Sequence, residues 1–370
     1  RGRAEEGPGS FWTWRDQMYA VAARLDPNSY LTLARAVYAE MALTGITTVG
    51  EFHYLHDGAN TMGDALLAAA RRAGIRITLL DACYLHGGIG EPRHDVQTRF
   101  GDRDVHAWMR RVSGRALDNQ QARLGAAIHS VRAVTPDEAA TVAAWAKQHE
   151  VVLHAHVSEQ PAEHDASVAA YGRTPTAVLA DAGAVTDRFC AVHATHASPE
   201  DQGLLGAARS FVCFCPTTER DLGDGIGPSA DLAAAGARLC LGSDSHAVID
   251  LLEEARGMEL DERLRTGARG HHSARDLLRV ATVEGAAALG WADAGALAPG
   301  GRADLTTIRL GSARLAGTRP ADALAAVVFA ATAADVSHVV AGGRPIVSDG
   351  RHLLVDDVPG QLAAAIAAVT

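Results

Sequence analysis

Residues 151–160 read VVLHAHVSEQ. An apolar, valine-rich run of this length is the signature of a buried strand. Side chains on a strand alternate between its two faces, so His154 and His156 point the same way, and His156 lies nearer the carboxyl end. Glu159 follows just past that end. The pattern of an apolar run closing on a polar group recurs along the chain. Candidate strands span 46–52, 75–82, 124–130, 151–157, 189–194, 210–215 and 237–243. Between them lie alanine-rich segments of helical period, such as 62–73 and 136–148, the second opened by Thr135 as N-cap and Pro136 at the first helical position. Repeated βα units imply a parallel sheet, and seven strands are one short of a closed eight-stranded barrel. The missing strand, first in order, is expected upstream of Arg1. Segment 11–44 reads as helices broken at Asp26-Pro27 and fits the helix after that strand. Past Asp244, 274–289 reads as a helix, and GALAPGGRADLTTI (295–308) and HVVAGGRPIVSDGR (338–351) read as a small β appendage. The expected division is a barrel over 1–298, the appendage over 299–352 and a helical tail over 353–370.

Composition narrows the class. A chain of 370 residues, 48% hydrophobic and 21% charged, has ample material for a core. A net charge of -10 argues against nucleic acid or an anionic membrane as partner, since either calls for a basic face. No run approaches the ~20 apolar residues of a membrane span, and the opening RGRAEEGPGS is unlike a signal peptide. A cytoplasmic enzyme acting on a small molecule is expected. The five cysteines are odd in number and lie mostly in strand-like runs, which suits reduced core thiols. Cys213 and Cys215 form a C-x-C, but one such pair without a second is a weak metal pattern.

Active sites of parallel barrels are built at the carboxyl ends of the strands. Counting the missing strand as the first, the second ends in Glu51, His53 and Tyr54, and the fourth in His129. The fifth ends in His154 and His156, the sixth in His193 and His196, and the eighth in Asp244. A lone histidine is most often a satisfied core residue; five strands ending this way point to chemistry. His156 suits a metal. Glu159, beyond the strand, is free for proton transfer. Asp244, flanked by small residues in LCLGSDSH, suits a divalent ion and can take a proton from the ion's water. His193 either shares that water or completes the metal shell.

The order and spacing of these residues resemble the amidohydrolase superfamily, whose fifth strand supplies a metal-binding histidine, the sixth another histidine and the eighth an aspartate. Within it, FWTWR (11–15), EFHYLH (51–56), IHSVRAVT (128–135), HAHVSEQPAEHD (154–165), VHATH (192–196), TTERDLGDGIGP (217–228) and GSDSH (242–246) resemble the formimidoylglutamate deiminases. The resemblance implies an α/β fold, a TIM-like (β/α)8 barrel with a small β-sandwich appendage, and one zinc ion per chain. It implies that His156 and Asp244 bind the zinc together with an H-x-H pair, which is expected upstream of Arg1. Glu159, His193 and Asp244 would carry catalysis, and Arg15, Tyr54, His129 and Arg132 would contact substrate. The implied reaction is hydrolysis of the C=N bond of N-formimidoyl-L-glutamate to N-formyl-L-glutamate and ammonia, in histidine degradation, by a homodimer. Two substrate carboxylates call for guanidinium forks. His56-Asp57-Gly58 departs from the family, which tends to have a second histidine and a longer loop there. The nearest alternative is a zinc aminohydrolase acting on a nucleobase or S-adenosylhomocysteine, whose site would grip a flat heterocycle. A metal-free binding protein on the same barrel is the alternative from another class.

Overall fold

The structure, a computed structural model, describes residues 11–115 and 117–370, with side chains from Trp14 onward. The opening segment 1–10, expected to be unlike a signal, lies outside the described residues.

Seven strands form one parallel sheet in chain order: β1 (Thr48–His53), β2 (Arg76–Cys83), β3 (Ala122–Ile128), β4 (Leu153–Val157), β5 (Phe189–His193), β6 (Phe211–Phe214) and β7 (Arg238–Leu241). All seven expected strands are present, each within a few residues of its expected bounds. Parallel neighbours cannot be joined by a tight turn, and each crossover here carries at least one helix that covers the outer face. The result is strands buried on both sides, as in β2, where every residue is buried. Helix starts follow the expected local chemistry. The helix Pro136–Gln148 is capped by Thr135, whose hydroxyl accepts from the Glu138 amide while the Glu138 carboxylate accepts from the Thr135 amide. The opening helices are Phe11–Arg24 and Pro27–Leu43, separated at Asp26, which caps the second.

The amino end of the sheet is plugged. His154 Nε2 donates to the Ala288 carbonyl at 2.9 Å, Thr78 Oγ1 to the Leu289 carbonyl at 2.8 Å, and Trp291 Nε1 to Thr78 Oγ1 at 2.8 Å. Trp291 is fully buried, with the Arg123 and Arg302 guanidinium groups 4.0 and 4.6 Å from its ring. The plug begins with the helix expected over 274–289, which is helical throughout but contains a π turn at Val280–Glu284.

A second sheet is antiparallel, in the order β11 (Arg351–His352), β10 (Arg344–Ser348), β9 (Val336–Ala341), β8 (Leu305–Ile308). Gly342 and Gly343 turn β9 into β10 with φ of 58° and 79°, the left-handed pair that a two-residue hairpin needs. Its apolar residues Val339, Ile346 and Val347 share a core with Tyr38, Met41, Ile75 and Ile77 of the barrel side. The helix Ala323–Ala330, between β8 and β9, was not anticipated, and the chain closes with the helix Val358–Ala367. No helix among the described residues is long and apolar enough to cross a membrane.

Candidate active site

The carboxyl ends of β4, β5 and β7 do not leave the sheet smoothly. Ser158, His193, Ala194 and Asp244 adopt φ of 50°, 70°, 50° and 33°, a left-handed region that costs a residue with a Cβ roughly 1–2 kcal/mol. Such bends swing side chains over the mouth of the barrel. Four on three strand ends mark that mouth as a place where geometry outranks local stability.

The bends gather the acid and imidazole groups. Register pairs Val157 with His193, so the residues after β4 and those ending β5 sit side by side. His193 is 1% exposed. Its Nδ1 lies 3.3 Å from Glu219 Oε1, and its Nε2 lies 3.6 Å from Glu159 Oε1 and 3.9 Å from Asp244 Oδ2. Burial opposes the charged form of His193, but the carboxylates of Glu159, Glu219 and Asp244 outweigh it and hold the imidazole pKa well above its ordinary value. Glu219 is held in turn by the Cys215 amide, which donates to Oε1 at 2.9 Å.

His156 has a different environment. Its Nδ1 lies 2.8 Å from the His129 carbonyl, which can only accept, so Nδ1 carries the proton and Nε2 keeps its lone pair. Burial lowers the His156 pKa, which keeps the ring neutral. A neutral imidazole whose second nitrogen is pinned to a carbonyl is the usual form of a metal ligand. Its ring packs 4.1 Å from that of Phe52 and 5.8 Å from that of His193. Asp244 keeps 29% of its side chain exposed to the cleft.

One cleft of about 670 Å³, counting its open mouth, is lined by Arg15, Tyr54, His129, Arg132, His156, Glu159, His193 and Asp244. The structure therefore brings all eight residues singled out from the sequence to one surface. Arg132 keeps its positive charge despite burial because Glu163 and Glu159 lie near it. The Arg15 guanidinium lies 5.4 Å from the Tyr19 ring. Other strand-end candidates face elsewhere. Glu51 Oε2 accepts from Tyr38 OH at 2.7 Å, and the His53 ring stacks 6.4 Å from that of Tyr30; both partners are on the helix Pro27–Leu43, outside the barrel. His154 serves the plug, and His196 Nε2 donates to the Asp224 carbonyl at 2.8 Å.

Sequence reasoning missed several residues. Glu219 and Asp224 lie in the quoted segment TTERDLGDGIGP without a role; their signal was a run of acids in the short helix and loop that follow β6. Asp224 is 3% exposed, and burial together with Glu159 pushes its carboxyl up to about 8. The aromatic wall of Trp14, Tyr19, Tyr84 and Phe100 was also unforeseen. Around Tyr54 the rings of Tyr84, Phe100 and His129 lie 6.2, 5.3 and 5.1 Å away. All five cysteines are free thiols; Cys190 and Cys240 approach to 3.9 Å between sulfurs. Two groups of three potential metal donors occur among the described residues: His193, Cys215 and Glu219 beside the cleft, and His53, His56 and Asp81 away from it.

Known proteins match this architecture along nearly its whole length. The amidohydrolase family profile matches residues 2–346. Formimidoylglutamate deiminase of Pseudomonas aeruginosa is 39% identical over 361 residues, covering 93% of this chain and 79% of that protein. The 8-oxoguanine deaminase of the same organism is 32% identical, covering 91% of this chain and 76% of its own. The crystal structure of an amidohydrolase from Brucella melitensis superposes with a TM-score of 0.90 at 34% identity, over 99% of this chain and 85% of that one. A parallel barrel whose strand ends converge on carboxylates and imidazoles, together with these matches, shows that the chain belongs to the amidohydrolase family and is a hydrolase acting on carbon-nitrogen bonds.

Proposed function

We propose that the chain hydrolyses the C=N bond of N-formimidoyl-L-glutamate, giving N-formyl-L-glutamate and ammonia, as a cytoplasmic enzyme of histidine degradation. The observation that carries this reading is the presence of two guanidinium groups, Arg15 and Arg132, in the same cleft as Glu159, His193 and Asp244. A substrate with two carboxylates and an imine matches both ends of that cleft.

The donors fit a zinc ion: His156 offers an unprotonated Nε2 and Asp244 a carboxylate. Bound there, zinc would supply a water acidified toward pKa ~7. Asp244 would accept the proton that this water loses, and His193, held protonated by Glu159, Glu219 and Asp244, would donate toward the oxygen that adds to the formimino carbon. Glu159 would relay both water protons to the departing nitrogen, the first from Asp244 and the second from the hydroxyl of the adduct, so that the carbonyl forms as ammonia leaves. Glu219 holds His193 with Nε2 toward the reacting atoms. Arg132, Arg15, Tyr54 and His129 hold the glutamate portion.

The aromatic wall and the similarity to an 8-oxoguanine deaminase favour a second reading, deamination of a purine. Tyr54 and Tyr84 stack 6.2 Å apart, however, less than the two spacings of about 3.5 Å each that a sandwiched base requires. Ammonia release by the zinc-loaded chain from formimidoylglutamate, 8-oxoguanine and an adenine nucleoside distinguishes the readings. Turnover of a purine with none of formimidoylglutamate would overturn the first.

A further inference from the structure

Gln97 is a buried amide, 2% exposed, in the segment between β2 and the helix Val105–Ser113; it stands behind the cleft wall and does not line it. Two backbone groups fix its orientation. Oε1 accepts from the His94 amide at 3.3 Å, and Nε2 donates to the Gly87 carbonyl at 3.4 Å. A backbone N–H can only donate and a carbonyl only accept, so the side chain cannot be turned the other way round. Nε2 also donates to two phenol oxygens, that of Tyr19 at 3.2 Å and that of Tyr84 at 3.1 Å. Both of those rings line the cleft.

This contact sets the polarity of the phenols. An amide nitrogen does not accept, so each hydroxyl can only receive from Gln97 and keeps its own hydrogen for another partner. A bond between the two phenols would use one hydrogen at most, which leaves at least one for the cleft. Burial and the neighbouring Tyr19 hold the Tyr84 phenol well above its ordinary pKa, so it stays a donor. The cleft supplies cationic company: the Arg15 guanidinium lies 5.4 Å from the Tyr19 ring, and Arg132 lines the same wall. The arrangement is anchored from outside. Arg99 donates to the Ala22 and Leu25 carbonyls at 2.5 and 2.7 Å, at the end of the helix Phe11–Arg24 that carries Tyr19. The Phe100 ring lies 5.3 Å from that of Tyr19 and 5.5 Å from that of Tyr84. Gly87 allows the close approach, since a Cβ there would fall 2.5 Å from the Pro92 carbonyl oxygen and 2.9 Å from Gln97 Oε1.

We propose that Gln97 is a positioning residue, which aims the hydroxyls of Tyr19 and Tyr84 at a substrate carboxylate held beside Arg15 and Arg132. The inference rests on the dicarboxylate reading above and adds neutral donors to its two guanidinium groups. A hydrogen bond to an ionised acceptor is about twice as strong as one to a neutral acceptor, so donors set in this direction favour an anionic substrate over an uncharged base.

The test uses the full zinc-loaded chain and ammonia release from formimidoylglutamate. Tyr19→Phe/Tyr84→Phe is expected to raise KM about 10- to 150-fold, with the loss falling on KM and not on kcat. Gln97→Met, uncharged and of similar length, should raise KM about 3- to 10-fold when both hydroxyls are present. With both tyrosines replaced by phenylalanine it should add less than about twofold, because the amide then has nothing to aim. A residue that only stabilised the loop would cost the same in both backgrounds. Calorimetric binding of the product, N-formyl-L-glutamate, gives a second readout in which the dissociation constants should follow the same pattern. That pattern without any turnover of formimidoylglutamate would support the inference and overturn the proposed activity alone. Equal losses in the two backgrounds, a fall confined to kcat, or product affinity unmoved by removal of both hydroxyls overturns the inference.

Discussion

Glu219→Gln is the sharpest test of the proposed chemistry, because it removes a charge while keeping a side chain of nearly the same shape. Glu219 does not line the cleft, so substrate contacts should be untouched. Its Oε1 lies 3.3 Å from His193 Nδ1, in a pair whose members are 1% and 5% exposed. At an effective dielectric of about 20 the gross attraction to a protonated imidazole at that distance is about 5 kcal/mol, and desolvation cancels much of it. The net value of a hydrogen bond to a charged group is about 1.5–3 kcal/mol. Since the protonated His193 faces the oxygen on which charge develops, loss of its partner falls on the transition state and should lower kcat about 10- to 150-fold. KM should stay within about threefold. The glutamine carbonyl can still accept from the Cys215 amide, so the loop after β6 should keep its place. Ammonia release from formimidoylglutamate, followed by a coupled assay over a range of substrate concentrations, gives both constants. A kcat within twofold of the unsubstituted enzyme, or a raised KM with unchanged kcat, would refute the assignment of Glu219 as the group that positions His193.

Other outcomes follow from the same geometry. Arg132→Met should raise KM for formimidoylglutamate about 10- to 150-fold through loss of a charge-assisted contact, and steady-state kinetics in which only kcat falls would contradict its substrate role. Dialysis against a zinc chelator should abolish turnover and added zinc should restore it; full activity in protein shown by elemental analysis to lack metal would exclude the mechanism. Arg111→Met strands Asp81 and Asp102 in the interior and should cost about 3–5 kcal/mol, read as a fall in the denaturant midpoint. Glu254 offers a pH prediction. Burial raises its carboxyl from 4.5 to about 8, despite hydrogen bonds from Thr217. A raised folded pKa means stability that is fully present below pH 4.5 and lost as pH rises through 8, on the order of 5 kcal/mol across that window. Glu254→Gln should flatten that slope in denaturant titrations between pH 5 and 8; an unchanged slope would show that Glu254 titrates normally.

The barrel was legible because its signals are local and repeated. Each strand is a short apolar run, several of the following helices carry a side-chain cap, and Thr135, Pro136 and Asp26 behave as their residue types dictate. The helix Ala323–Ala330 was hidden for the opposite reason: it is apolar on every side, without the periodic polar face that announces a surface helix. The aromatic wall was hidden by distance. Tyr19, Tyr84 and Phe100 come from the opening helix, the end of β2 and a loop, and no spacing within the chain links them. Glu219 and Asp224 were in view but unassigned, since only the position of His193 shows which acid it meets.

His53 shows where strand-end reasoning needs a second step. Glu51, His53 and Tyr54 were read together as polar residues closing one strand, yet alternation allows only one parity to reach the cleft. The parity that separates His156 from its neighbours applies equally to β1. Gly50 and Phe52 face the interior, where a Cβ on Gly50 would meet Leu289 Cδ2 at 2.4 Å and the Phe52 ring packs on His156. Tyr54 belongs to that set, and Glu51 and His53 therefore belong to the outer layer. A histidine sent outward into a packed helix layer has no water to satisfy it. Its two unpartnered nitrogens, invisible in the sequence, are the direct consequence of that outward placement.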